Sequence, residues 1–150
     1  MRATRVIAVG HWDAATAIDR VVLDSDQRSR RRAALTGAGG TAFLLDLSRP
    51  PMLREGDGLV LEDDNIVRVC AQPEPLLEIA VAETASLARL AWHLGNRHVP
   101  VQMTNDRLRI RRDHVLAEML QALGARLESI DAPFEPERGA YPQHWHDESP

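Results

Sequence analysis

The stretch that decides the fold of the second half of the chain is LARLAWHLGNRHVP, residues 87–100. Its apolar residues recur at the i, i+3, i+4, i+7 spacing of an amphipathic helix, and they are Leu87, Leu90, Ala91 and Leu94. Gly95 follows at once, and glycine is common where helices end, so we expect the helix to stop there. His98 would then lie in the loop that leaves this helix.

The segments around this helix alternate in period. Apolar residues alternate over residues 77–81 as in a strand, and two more alternating runs flank a Thr104-Asn105-Asp106 turn, which predicts a hairpin. Asp113 is expected to cap a second helix that ends at Gly124. The side chains predicted to turn inward from this second helix are Val115, Leu116, Met119 and Leu123. A strand over 127–130 completes the order βαββαβ, which is ferredoxin-like.

The first half predicts a different architecture. Turns rich in Gly, Pro, Asp and Asn separate five β-prone runs, which are residues 4–9, 20–23, 42–47, 58–62 and 66–70. Short strands so separated predict a small β-sandwich or barrel. The two prolines of Gln72-Pro73-Glu74-Pro75 predict an extended linker.

The whole chain is therefore expected to be an α+β protein in three parts. An N-terminal β domain covers residues 1–74, and a ferredoxin-like domain covers residues 75–132. From Asp131 onward prolines and charges replace the periodicity, which predicts a flexible tail, assigned to residues 133–150.

Composition sets limits on function. With 150 residues, 44% of them hydrophobic, the chain can form one ordinary domain or two small ones. It has no apolar run long enough to cross a membrane and no signal-peptide pattern, which predicts a cytoplasmic protein. A net charge of −4 argues against a general nucleic-acid binder. The single cysteine, Cys70, rules out an internal disulfide or a Cys-x-x-Cys metal site.

Histidines are concentrated in the second half of the chain. Five of the six lie after residue 90, and they are His93, His98, His114, His144 and His146. Imidazole donors without thiolate favour nickel, copper or zinc. One imidazole binds a metal weakly, but a two-fold dimer would present His98 twice. The ten residues from Phe134 to His144 can span about 30 Å, far enough for a tail ring to return to His98. From the residues alone, a surface histidine beside Pro100 remains the alternative.

No enzyme signature is present. The Gly37-Ala38-Gly39-Gly40 run lacks the Gly-Lys-Ser/Thr ending of a phosphate-binding loop, and neither a Gly-x-Ser-x-Gly elbow nor a His-Glu-x-x-His zinc motif occurs. Metal ligands on a loop and a tail suit loading and release better than the fixed coordination of catalytic zinc. We therefore expect a binding protein that is not an enzyme.

Three motifs, in order along the chain, resemble those of the UreE family of urease accessory proteins. They are HLGNRHVP at 93–100, RRDHVLAEML at 111–120 and PFEPERGAY at 133–141. The resemblance covers essentially the whole chain. It implies a peptide-binding β domain followed by a ferredoxin-like metal domain.

The resemblance also implies roles for particular residues. His98 matches the nickel ligand of the dimer interface, and His144 and His146 match metal-binding tail histidines. His114 matches an auxiliary metal site, although the second histidine that some relatives carry there is Arg112 in this chain. A separate cluster, formed by Arg28, Arg30, Arg31 and Arg32, is either a solvated strand edge or loop, or a surface that docks an acidic partner.

The function that the resemblance implies is that of a homodimeric nickel metallochaperone. It would deliver Ni²⁺ to apo-urease together with the urease-maturation GTPase and other accessory proteins, with Cu²⁺ or Zn²⁺ able to substitute for nickel. Two alternatives stay open from the residues. One is a general buffer or sensor of divalent metals that is not tied to urease, and the other is a small metal-dependent hydrolase.

Overall fold

A computed structural model describes residues 1–137 of the chain. These residues form two compact units, one of residues 1–72 and one that begins at Pro73. Both are built mainly from strands, and the only two α-helices of the described part belong to the second unit. Neither helix is long and apolar enough to cross a membrane. The predicted α+β class is confirmed.

The first unit is a six-stranded sheet. Its strands are β1 (Arg2–Ile7), β2 (Asp19–Leu23), β3 (Arg32–Thr36), β4 (Ala42–Asp46), β5 (Gly58–Leu61) and β6 (Ile66–Ala71). They lie in the order β2-β6-β5-β1-β4-β3, and alternate residues of several strands fill one apolar core. Each of the five predicted β runs overlaps one of these strands. β3 was not predicted, because its first residue belongs to the arginine cluster.

A hydrogen-bonded clasp draws the two edges of this sheet together. The carboxylate of Asp19, at the start of β2, accepts from the backbone N–H groups of Arg20 (2.7 Å), Gly39 (2.8 Å) and Thr41 (3.1 Å). These hydrogen bonds lower the pKa of Asp19 to about 2, and the bond from Gly39 has the largest effect. A Cβ atom at Gly37 would collide with the same carboxylate, so this turn requires glycine. The sheet is consequently a nearly closed barrel.

The second unit has the predicted βαββαβ order. Its elements are β7 (Pro73–Ala80), α1 (Thr84–Asn96), β8 (Gln102–Met103), β9 (Leu108–Arg111), α2 (His114–Ala122) and β10 (Arg126–Pro133). The strands pair antiparallel in the order β10-β7-β9-β8. A second apolar core gathers buried residues from the strands and both helices, including Ile79, Leu94, Ile110 and Leu120.

The expected linker belongs to a strand. β7 begins at Pro73 and pairs with β10 from its first residue, Pro73 opposite Pro133. Pairing with β9 starts only at Leu76, so both prolines lie where β9 has ended. On that side the carbonyl of Pro75 accepts from Arg112 N, and the missing proline N–H removes only the reciprocal bond at the end of the ladder. The prolines therefore fit an extended strand.

Helix α2 begins as predicted but turns a slightly different face inward. The side chain of Asp113 caps it by accepting from the N–H groups of Val115 (2.9 Å) and Leu116 (3.0 Å). Leu116 and Met119 pack on the core and Leu120 is fully buried. Val115 and Leu123 are 60% and 40% exposed, so their predicted inward orientation is wrong. The buried face is centred on Leu116 and Leu120, one residue later than expected.

The predicted start of the tail is also wrong. β10 continues through Pro133, and Phe134 is fully buried, with the Arg111 guanidinium carbon 5.1 Å from its ring centre. The N–H of Glu135 then donates to Gln102 Oε1 (3.1 Å), and the N–H of Glu137 to the carbonyl of Val101 (2.7 Å). Residues 134–137, called the strap below, thus lead from the β10 edge of the sheet to β8. The rest of the predicted tail, residues 138–150, lies outside the described residues.

Candidate metal centre

The loop that carries His98 ends α1 in an unexpected way. The helix runs past Gly95 to Asn96, and His98 itself has a left-handed backbone, with φ 58°. The N–H of His98 donates to the Gly95 carbonyl (3.0 Å), and the N–H of Val99 donates to the Leu94 carbonyl (3.1 Å). This pair of bonds is the Schellman motif, in which glycine usually holds the left-handed position. The predicted helix end at Gly95 is wrong, and His98 occupies that position.

A left-handed backbone is unfavourable for histidine. The conformation costs a residue with a Cβ atom about 1–2 kcal/mol relative to its ordinary conformation. Of residues 1–137, only Asp64 and His98 adopt it without being glycine. Val99 packs against the apolar core beside Leu94, which fixes the loop, while the His98 side chain is exposed. Strain of this kind persists where the surrounding structure enforces it, and it is frequent at functional positions.

The other described histidines are placed differently. His114 is the first residue of α2 and is exposed. His93 is half-buried and packs edge to face against Trp92, with ring centres 5.0 Å apart. His11 is exposed in a turn of the first unit. Within residues 1–137, no three His, Cys, Asp or Glu side chains form a group that could hold a metal ion.

Two carboxylates on β7 of the second unit are paired with arginines. Glu78 lies 2.6 Å from Arg107 Nη1 and 2.9 Å from Arg109 Nε, and the hydrogen bond from Arg107 lowers the pKa of Glu78 most. Glu74 pairs with Arg111 at 3.5 Å. Glu74 and Glu78 are thus held in ion pairs within the unit.

One member of the arginine cluster is structural. Arg28 is only 4% exposed, and its Nε and Nη1 donate to the carbonyls of Leu23 (3.3 Å) and Leu53 (3.2 Å). It therefore cannot be part of a partner-binding surface, and that prediction is wrong for Arg28. Arg30, Arg31 and Arg32 are exposed, with Arg32 opening β3.

Sequence reasoning also missed Trp92. This side chain is 64% exposed on α1, two turns before His98. Trp92 lies beside the apolar stripe of Leu87, Leu90 and Leu94 and not within it. That position in the sequence could have identified Trp92 as an exposed aromatic residue. A large exposed aromatic residue is typical of protein interfaces.

Two family models match the chain, one for each unit. "UreE urease accessory protein, N-terminal domain" matches residues 3–72, and "UreE urease accessory protein, C-terminal domain" matches residues 74–150. The chain belongs to the UreE family. This is a family of accessory proteins rather than of enzymes, and its match extends over both units.

Individual UreE proteins are similar over most of their length. "Urease accessory protein UreE" of Bradyrhizobium sp. (strain BTAi1) is 55% identical over 146 residues, which cover 97% of this chain and 70% of the relative. The protein of the same name from Beijerinckia indica is 49% identical over 99% of this chain and 87% of the relative. That of Rhodobacter capsulatus is 47% identical over 93% and 86%, respectively.

Proposed function

We propose that this protein is a nickel metallochaperone for urease maturation, with His98 as its principal nickel ligand. The observation that carries the proposal is the exposed imidazole held at the left-handed end of α1, in a chain of the UreE family. Nickel is the cargo. It would be delivered to apo-urease in the cytoplasm, together with the urease-maturation GTPase and other urease accessory proteins.

We further propose that the functional unit is a homodimer. One imidazole binds Ni²⁺ weakly, whereas a two-fold axis beside His98 brings two rings to one ion. Exposed apolar side chains of the second unit provide surface for such a contact, namely Trp92, Met103 and Val115. The strand order β10-β7-β9-β8 supports the assignment of this unit to the ferredoxin-like fold.

The remaining coordination positions of nickel are assigned to the tail histidines. Nickel accepts four to six ligands such as imidazole and water, and two His98 rings leave several positions open. His144 and His146 would complete the site, and each imidazole would dissociate from the nickel ion in turn during transfer. Cu²⁺ and Zn²⁺, which also bind imidazole, are expected to occupy the site in vitro.

The other predicted sites have weaker support. His114 is exposed and available for an auxiliary site. However, Arg112, at the place of a second histidine, donates to the carbonyl of Ile130 (3.0 Å) and lies 3.8 Å from Asp131. In the first unit, which we assign to protein contact, Arg30, Arg31 and Arg32 remain proposed contacts for an acidic partner.

Deletion of the gene in a urease-producing host tests the proposal. We expect urease activity to fall at low nickel, to return with the wild-type gene, and not to return with His98→Ala. His11→Ala, at an exposed histidine of the first unit, is the matched control and should restore activity. A buffer or sensor unconnected with urease would instead leave urease activity unchanged and alter only the tolerance of the cells to nickel, copper or zinc.

A further inference from the structure

β8 is the shortest strand of the second unit, and it follows directly on the loop that carries His98. It consists of Gln102 and Met103, which pair with β9, and it forms one edge of the described sheet. A strand of two residues has few ladder hydrogen bonds, and segments with few bonds open more easily than the rest of a fold. Other contacts are therefore needed to hold the start of β8 in place.

The strap provides these contacts. The N–H of Glu137 donates to the Val101 carbonyl (2.7 Å), and the N–H of Glu135 donates to Gln102 Oε1 (3.1 Å). The strap is itself anchored, because the Phe134 side chain is fully buried. It therefore ties the first residue of β8, and the residue before it, to the folded unit.

The loop of residues 98–100 is consequently held at both ends. At its start, the N–H groups of His98 and Val99 donate to carbonyls of α1. At its end, Val101 is buried and its carbonyl is bonded to the strap. The left-handed backbone of His98 is unfavourable, and such a conformation persists only where the surrounding structure enforces it. If either end were released, the loop would relax and His98 would leave that conformation.

We infer that the strap is a positioning segment, which holds His98 in its left-handed conformation and so presents the imidazole to nickel. The inference rests on the proposed function, since it concerns the same site. The Gln102 side chain and the Glu137 N–H are the positioning groups, and neither touches the metal. When only a fraction of the loops has the conformation that binds nickel, the apparent affinity falls by that fraction.

The end of α2 provides an internal control. Gly124 and Ala125 donate their N–H groups to α2 carbonyls in the same arrangement. This turn precedes the first residue of β10, whereas the strap leaves the last residue of that strand. Hydrogen exchange of a bonded amide measures the local opening of its bond. A strap that only stabilises the unit would, when weakened, open both helix ends equally, whereas a positioning strap would open the end of α1 alone.

Two pairs of variants in the full-length chain test the inference. Glu137→Pro removes the donated N–H, and Glu137→Ala is the matched control that keeps it. Gln102→Leu removes the acceptor for the Glu135 N–H without adding a proline, and Gln102→Glu is the conservative variant that keeps an acceptor oxygen. Amide exchange is followed by NMR without metal. Nickel affinity is then measured by calorimetry.

We expect Glu137→Pro and Gln102→Leu to exchange the amides of His98 and Val99 about fivefold faster, with those of Gly124 and Ala125 unchanged. Nickel affinity should fall about fivefold in the same two variants. Glu137→Ala and Gln102→Glu should behave as the wild type does in both measurements.

Three results overturn the inference: unchanged exchange at the end of α1, equal acceleration at both helix ends, or unchanged nickel affinity. The proposed function is tested separately by His98→Ala. If His98→Ala loses the tight site while the strap variants bind normally, the function stands and the strap inference fails. If His98→Ala binds nickel as tightly as the wild type, the proposed site fails, and the positioning role fails with it.

Discussion

The two helices of the second unit end in the same way but with different residues at the decisive position. In α2, Gly124 has φ +92° and donates its N–H to Gln121, while Ala125 donates to Leu120. In α1 the corresponding bonds are made by His98 and Val99. The backbone geometry is shared, but α2 has glycine where α1 has an exposed imidazole.

The difference between Gly124 and His98 distinguishes a residue chosen for stability from one that we propose has a function, at the same position of one motif. Glycine at the left-handed position is the choice that stability alone favours, because it has no Cβ atom to clash. α2 follows that rule. α1 departs from it at His98, the residue that we propose as the principal nickel ligand.

The largest expected effect is on metal binding. His98→Ala keeps a side chain at the left-handed position and removes the imidazole, so nickel affinity should fall at least tenfold, or about 1.4 kcal/mol, with little change in thermal stability. His114→Ala, at the start of α2, is the control and should retain the tight site. Calorimetry and a thermal melt measure both quantities. Tight binding that survives in His98→Ala would show that the imidazole at the end of α1 serves another purpose.

A substitution at the end of α2 should affect stability instead. Gly124→Ala places a Cβ atom in the left-handed conformation, where nothing else lies within 4 Å of it. The penalty is therefore that of the backbone alone, about 1–2 kcal/mol. Urea unfolding measures it, and nickel affinity should not change. A neutral Gly124→Ala would mean that this conformation is not strained, and the same conclusion would then apply to His98.

The starts of the helices differ as well. Asp113 caps α2 through its side chain, whereas Glu83, at the start of α1, makes no such bond. Asp113→Ala should reduce the free energy of unfolding by about 1 kcal/mol. Glu83→Ala, which removes no cap, is the control and should lie close to the wild type. Chemical denaturation of both variants decides the matter, and equal losses would refute the assigned role of Asp113.

The smallest expected effect is a gain in stability. His98→Gly relieves the left-handed strain but increases the freedom of the unfolded chain, so the net stabilisation should be about 0.5 kcal/mol relative to His98→Ala. Neither variant should bind nickel tightly. Paired urea titrations provide the measurement. A His98→Gly variant that is less stable than His98→Ala would show that the greater freedom of the unfolded chain outweighs the left-handed strain.

The sequence predicted the order of elements well because that order depends on local periodicity. The alternation around 77–81 and 101–110, the spacing of three and four residues from Leu87 to Leu94, and the Asp113 cap each depend on neighbours a few residues away. The end of α1 was misjudged because the rule for helix ends looks for glycine. Gly95 satisfied the rule three residues before the residue that adopts the left-handed backbone.

Other errors arose where distant parts of the chain meet. Arg28 looks like an exposed charge in an arginine run, and only the carbonyls of Leu23 and Leu53 explain its burial. Phe134 lies among prolines and charged residues, so no strand or helix periodicity predicted its burial. In the candidate site, the position of His98 in a loop after α1 was predicted from the sequence. Its strained backbone and the docking of the strap beside it were not.

The clasp at Asp19 makes the first unit sensitive to acid. Because hydrogen bonds lower the pKa of Asp19 from 3.8 to about 2, its contribution to stability is complete above pH 4 and disappears as the pH falls towards 2. Protonation would weaken the bonds from Gly39 and Thr41 to β2, an edge strand with Val22 exposed, while the backbone bond from the Ala38 N–H to the Arg20 carbonyl (2.8 Å) stays in place. Unprotected edges recruit further strands. Brief exposure to strong acid should therefore seed aggregation through β2, which light scattering during an acid titration would detect.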